Sequence, residues 1–429
     1  GVVSTDSGAP DTTCSASTTP RPAQRSGFKY ARTRSLAVTE SPQEERLFSG
    51  HSGRLLLSVS AGWAAIQAGR LSLSPLLPTI RTDLGLSNTE AGLAFTLMWG
   101  LYALLQYPSG RLSDQLSRKT MLVAGLIIAA LGFVVFASAD VYALYLAGAA
   151  VVGLGVGLYP TPARGLISDL FVARRGQAFG LHTASGDFGG VLAAGLATVV
   201  IAVATWRSGF LPVVAVLGLV VLSLHRLGRE PYELARVDIE LGATLRRLFG
   251  DARLRWLLLA YALFAITWQA TTAFLPTFLQ AEKAFSPGVA NAGFAALFVV
   301  GAVVKPASGY LGDRFEREVV AAGALLLGAV TLGGIVITGS TALVVVGVVV
   351  FAAGLMAFPP VMQAYLMDSF PTDSMAGDLG GMRSVYVAVG SLGPTVVGLV
   401  ADLASFTHAF ALLVGGLAAS ATLILLVAR

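Results

Sequence analysis

Twelve apolar runs, most of them as long as a bilayer's hydrocarbon core is thick, dominate this chain of 429 residues. They are Leu55–Ile80, Ala91–Ser109, Thr120–Ala139, Val141–Ile167, Gly176–Ala204 and Ser208–Leu227, then Trp256–Leu279, Val289–Ser308, Val319–Thr338, Thr341–Met367, Met382–Leu403 and His408–Val427. About 20 apolar residues rising 1.5 Å each cross roughly 30 Å of lipid. Backbone N–H and C=O groups must be satisfied within such a segment, and the alternation of a barrel strand is absent, so each run is read as a helix. Charged residues are 12% of the chain, against about 25% in soluble domains. No water-soluble fold of this length could cover the remaining apolar surface. A soluble enzyme, a disordered protein and a secreted disulfide scaffold are thereby excluded. The expected fold class is an all-α membrane protein with twelve transmembrane helices, packed closely through its 49 glycines.

Residues 1–50 break the pattern. They are rich in Ser, Thr, Pro and Arg and contain no apolar run, too little to offset the entropy of ordering. A disordered tail is expected there, and without an apolar segment it is not a signal peptide. The chain opens on Gly1; a native start further on, near Val38, would make the preceding stretch an artefact. The single cysteine, Cys14, excludes an intrachain disulfide, and His51, His182, His225 and His408 lack metal-ligand spacing. No Walker lysine motif is present, so no ATP-driven step is expected, and no metal or cofactor is expected either.

The 29 basic residues outnumber the 24 acidic ones. Such an excess can mark nucleic-acid binding, but its placement has a simpler cause. With twelve helices, 23 of the basic residues fall on one side: in the tail as far as Arg54, in loop two–three, in loop four–five (Arg164, Arg174, Arg175), in the central stretch from Arg226 to Arg255, in loop eight–nine and at Arg429. The opposite loops hold only Arg81, Arg207 and Lys283. This bias puts both termini in the cytoplasm and removes the need for a nucleic-acid partner.

An offset of 199 residues superposes Gly110, Leu112, Asp114 and Arg118 on Gly309, Leu311, Asp313 and Arg317. The same offset carries Gly155, Pro160, Asp169 and Phe171 onto Gly354, Pro359, Asp368 and Phe370. Matched Asp, Arg and Pro residues at one offset imply duplicated halves. The expected organisation is an N-terminal six-helix half over 51–227, a cytoplasmic linker over 228–255 and a C-terminal six-helix half over 256–429.

The segment from Gly110 to Lys119, GRLSDQLSRK, resembles the loop two–three signature of the major facilitator superfamily, G-x-L-x-D-R-x-G-R-[RK], and Gly309–Arg317, GYLGDRFER, resembles its second copy. Gln115, Ser117 and Glu316 depart from it. Arg70-Leu-Ser-Leu-Ser-Pro75 and Val304-Lys-Pro-Ala-Ser-Gly309 are similar to segments of the anion:cation symporters, although the Gly155–Pro162 region lacks that subgroup's Glu. Ser185–Gly190 meets only half of the drug-antiporter signature of the fifth helix. The resemblance implies a transporter of the cell membrane that alternates access between its two faces. It also implies that Asp114 caps the N-terminus of the eleventh helix, where exposed N–H groups favour an anion, and that Arg118 pairs with Asp169. Gly110, Asp114, Arg118, Asp169, Gly309, Asp313 and Arg317 are then the gating residues.

Arg70, Asp187 and Lys305 stand well inside apolar runs, with Arg383 near the start of another. A charge at a helix centre costs about 2.5–3.5 kcal/mol on insertion scales and needs a partner, water or a function. Arg70 and Asp187 both sit at middle-to-outer depth and could face each other. On one reading Arg70 binds an anion and Asp187 carries a proton; on the other they form a structural pair. Lys305 either lines a cavity or snorkels to the cytoplasmic surface. Arg70, Trp268, Gln269, Lys305 and Arg383 form the candidate substrate site. The partners expected are a small-molecule substrate, protons and the lipid bilayer, and the chain is expected to act as a monomer. A small anion moved with protons is the leading function. A proton-driven exporter of drugs or metabolites and a non-transporting membrane sensor are the alternatives.

Overall fold

The computed structural model describes residues 45–233, 242–370 and 375–428. Most of the tail expected to be disordered, and part of the 228–255 linker, lie outside these residues. The helices are α1 (Gly50–Leu84), α2 (Asn88–Gln115), α3 (Arg118–Ala137), α4 (Tyr142–Gly157), α5 (Pro160–Leu170), α6 (Arg175–Val203), α7 (Phe210–Leu227) and α8 (Gly242–Gly250). They continue as α9 (Ala252–Ala281), α10 (Pro287–Arg314), α11 (Arg317–Ile337), α12 (Thr341–Ser369), α13 (Met375–Gly390), α14 (Leu392–Leu403) and α15 (Phe406–Ala428). No strand occurs among the described residues.

Ten helical spans are long and apolar enough to cross a membrane, counting α4–α5 and most of α13–α14 as one each. The α1 and α2 helices are longer than several of these, at 35 and 28 residues, but carry more polar side chains. Large apolar residues face outward, with Val330 and Val303 more than 70% exposed. An apolar exterior of this extent suits lipid rather than water.

Two runs that read as unbroken helices are interrupted. Proline lacks an N–H and its ring clashes with the carbonyl four residues earlier. Pro160 acts on Val156, and α4 ends at Gly157. Pro394 acts on Gly390, the last residue of α13. The first break turns Arg164, counted above as a loop residue, into a residue of α5.

The α1 helix packs on α6, α7 and α9; α2 packs on α4, α13 and α14; α10 packs on α6, α9 and α12; and α11 packs on α12 and α15. Near residues 85–87 and 404–405, α2 and α14 touch through their backbones. A Cβ on Gly92 would collide with the Pro394 carbonyl, and one on Gly398 with that of Asn88. The Asp402 carboxylate accepts from the Asn88 and Thr89 N–H groups at 3.0 and 2.8 Å, from Asn88 Nδ2 at 2.8 Å and from the Thr89 hydroxyl at 2.6 Å. Thr96 adds a hydrogen bond to the Ser391 carbonyl at 2.5 Å. This end of the α2–α14 pair is sealed.

Glu45, just ahead of α1, is buried, and its carboxylate accepts from the N–H groups of Val172, Ala173 and Arg174 at 3.0, 3.1 and 2.9 Å. It thereby ties the lead-in to α1 to the start of α6. Burial opposes its charge, but the three N–H groups and the neighbouring Arg174 outweigh that and hold the carboxyl below its ordinary value.

Candidate functional site

Arg70 lies past the middle of α1 and is 4% exposed. Its guanidinium stacks 4.1 Å from the ring centroid of Trp99, with Tyr102 at 5.3 Å and Trp63 at 6.0 Å. Nη2 donates to Gln67 Oε1 at 2.5 Å. Nε and Nη1 are buried and have no hydrogen-bond partner among the described residues. A desolvated cation on an indole gains about 2 kcal/mol, whereas each buried donor without a partner costs about 1–3 kcal/mol. The aromatic cage holds the guanidinium in place with two donors unused. A planar oxyanion can pair with Nε or Nη1 together with the remaining N–H of Nη2, through charge-assisted hydrogen bonds.

The α4–α5 break helps to build this cage. Tyr159, at the break, donates to the Val59 carbonyl at 2.6 Å and lies parallel to Trp63, with centroids 6.2 Å apart. Trp63 in turn stacks on His182 of α6.

Arg383 of α13 donates from Nη2 to the Tyr102 hydroxyl at 3.4 Å, while its Nε is buried without a partner among the described residues. Arg164 of α5 donates to the Pro160 carbonyl. Tyr102 thus joins Arg70, 5.3 Å from its ring centroid, to Arg383, 3.4 Å from its hydroxyl. Among the described residues, none of Arg70, Arg164 and Arg383 forms an ion pair with a carboxylate. Sequence reasoning missed Arg164, Trp63, Trp99 and Tyr102. The signal for Arg164 was its place inside the Val141–Ile167 run, just after Pro160 and Pro162.

Asp187 does not meet Arg70. Both its carboxylate oxygens accept from Lys305 Nζ, at 2.6 and 2.8 Å. The helix wheel accounts for this. Gly186 and Gly189 of α6 face Trp63 and Ala64 of α1, whereas Gly190 lies against Phe298 of α10. Asp187, three residues before Gly190, shares the face turned to α10. Lys305 therefore bridges α10 to α6 instead of snorkelling out.

Gln269 is 2% exposed and donates from Nε2 to the Val387 carbonyl at 3.0 Å, close to the α13–α14 break. Its Oε1 is buried without a partner among the described residues. Trp268 stands edge-on to Phe298, with centroids 6.4 Å apart.

Among the signature residues, Arg118 pairs with Asp169 at 3.3 Å and also donates to the Ser113 carbonyl at 2.9 Å. At the repeat-related positions Arg317 pairs with Asp368 and lies 3.6 Å from Asp313. The side chain of Asp114 lies outside the described set. Gly110 and Gly309 do not mark close helix approaches in this conformation: a Cβ on Gly110 would make an ordinary 3.7 Å contact with Thr161, and one on Gly309 would meet open space. Tight crossings within each half lie instead at glycines such as Gly155 against Ala129 and Gly354 against Gly328.

The profile of the Major Facilitator Superfamily matches residues 59–376 and, overlapping, 257–429. The chain belongs to the Major Facilitator Superfamily. It is therefore a multi-pass transporter of the cell membrane and not an enzyme. It is 26% identical over 266 residues to a probable sulfoacetate transporter of Cupriavidus necator, a match covering 58% of this chain and 62% of that protein. It is 24% identical to a hexuronate transporter of Bacillus subtilis over 82% of this chain and 89% of that one. It is 25% identical to a probable L-galactonate transporter of Escherichia coli, over 80% and 81% of the two chains. These superfamily relatives are of the anion-carrying type that Arg70 and its flanking segment suggested. A bacterial homologue of the lysosomal transporter Spinster, in an inward-facing, occupied conformation, shares the fold at a TM-score of 0.76 and 18% identity, covering 87% of this chain and 96% of that one.

Proposed function

We propose that this superfamily member is a twelve-helix secondary transporter that moves a small anion with protons by alternating access. The two halves, 51–227 and 256–429, rock about a midplane site, and the 228–255 stretch joins them with both termini in the cytoplasm. The observation that carries the anion reading is the caged, buried Arg70 guanidinium with two unpartnered donors. Relatives named for sulfoacetate, hexuronate and galactonate support it.

Asp187 is the proton carrier in this reading, and Lys305 is its partner. A proton on Asp187 removes the carboxylate that holds the Lys305 ammonium and releases that charge toward an incoming anion. By linkage, proton and anion then favour each other's binding, as symport requires. Under this topology the Asp402 seal lies at the outer surface, which supports an inward-facing state. Arg118, Asp169, Arg317 and Asp368 brace the cytoplasmic ends of the helices, and Gly110, Asp114, Gly309 and Asp313 complete the gating set.

A thermal-shift screen of purified protein against carboxylates, sugar acids, a sulfocarboxylate, nitrate and cationic drugs tests the reading. A ligand at 100 times its Kd adds about 2.7 kcal/mol of stability. Anions should raise the Tm of the native protein and leave that of Arg70→Ala unchanged. Stabilisation by cationic drugs alone would point to an exporter instead.

A further inference from the structure

We infer that the transported anion carries two acid groups, one held at Arg70 and the other at Arg383. This inference rests on the reading of Arg70 as the anion site and extends it to the class of substrate.

Charge balance leads to it. Two guanidiniums meet at Tyr102, Arg70 at 5.3 Å from the ring centroid and Arg383 at 3.4 Å from the hydroxyl, and among the described residues neither forms an ion pair with a carboxylate. Like charges gathered away from water repel strongly, because the effective dielectric is low. A bound monoanion answers one of the two charges. A dianion answers both and relieves their mutual repulsion.

The unused donors point the same way. Arg70 keeps Nε and Nη1 without partners, and Arg383 keeps Nε. The two side chains approach Tyr102 differently: Arg70 lies toward the ring, and Arg383 reaches the hydroxyl at 3.4 Å. Two guanidiniums at different points of one phenol suit acid groups a few bonds apart, as in a short dicarboxylate or sulfocarboxylate. Arg70 is on α1 and Arg383 on α13, one from each duplicated half, so a two-headed ligand would bridge the halves. A one-headed ligand would engage one of them. Arg383 thus selects for the second acid group.

Calorimetric titration of the full chain at fixed ionic strength tests this with matched pairs. Succinate, malonate and a sulfocarboxylate are compared with succinamate, malonamate and the sulfocarboxylate's methyl ester, each lacking one charge. At least one dianion should bind roughly tenfold or more tightly than its partner, a difference of about 1.4 kcal/mol. Arg383→Gln should bring that ratio close to one, whereas Arg383→Lys, which keeps the charge, should retain most of it. Arg70→Gln should weaken both members of a pair. If gluconate and the half-amides bind through Arg70 as tightly as the dianions, the two-acid inference is overturned and the anion site stands. If no anion of either class binds, both are overturned.

Discussion

Lys305 and Asp187 hold each other across the α6–α10 crossing with two hydrogen bonds, and their side chains are 26% and 14% exposed. Removing one partner of a buried ion pair leaves an unpaired charge and costs about 3–5 kcal/mol; the partial exposure of Lys305 brings the cost here toward about 3 kcal/mol or less. Asp187→Asn should therefore lower the Tm, and Lys305→Gln added to it should recover part of the loss. In proteoliposomes Asp187→Asn should still exchange substrate but no longer accumulate it on a pH gradient. Accumulation with unchanged pH dependence would leave the pair a purely structural tether. The presence of these charges inside apolar runs was legible in the sequence, but their pairing was not. Depth along a helix follows from counting residues, whereas facing depends on the packing of glycines such as Gly189 and Gly190 against different neighbours.

The elements were legible wherever apolar length alone decides, as in α3, α11 and α15. They were misread where a proline breaks a helix inside lipid, because neither Pro160 nor Pro394 interrupts the apolar composition. The break at Leu158–Tyr159 brings Tyr159 against Trp63 and places Arg164 in α5. The capping of the α6 start by Glu45 was also invisible, because it joins residues more than 120 apart. It carries a pH signature. A carboxyl held below its ordinary value gives stability that is fully present above that value and is lost as pH falls through the lowered one. The Tm gap between native protein and Glu45→Gln should be constant near neutral pH and shrink in acid. A gap that widens in acid would contradict the assignment.

Across the whole molecule, the 199-residue offset holds for contacts as well as for letters. Arg118–Asp169 and Arg317–Asp368 are equivalent pairs. Asp83 accepts from Trp206 Nε1 at 3.0 Å and pairs with Arg207 at 2.7 Å, while Glu282, at the equivalent position, accepts from the Phe406 N–H at 3.0 Å and the Thr407 hydroxyl at 2.9 Å. These correspondences are the ones that the proposed six-helix halves require. The Asp402 seal has no such counterpart at the equivalent Val203 and, on the proposed mechanism, belongs to one conformation of the cycle. Its carboxylate sits at the positive N-terminal end of α2, and such charge-assisted bonds contribute about 1.5–3 kcal/mol each. Asp402→Asn should shift the population tenfold or more toward outer opening, about 1.4 kcal/mol in the conformational equilibrium. Pulsed electron resonance between spin labels at Ser87 and Ala404 should show a longer distance; an unchanged distribution would contradict the seal.

The central claim is that a small anion crosses the membrane through Arg70, and counterflow in reconstituted proteoliposomes tests it most directly. Vesicles loaded with the anion that gives the largest thermal shift should take up the labelled compound transiently against its gradient. Arg70→Ala protein, inserted at the same density, should show none. Arg70→Lys should fail as well, because an ammonium cannot present the planar fork that pairs with an oxyanion. Counterflow by Arg70→Ala at the native rate and with native concentration dependence would contradict the account.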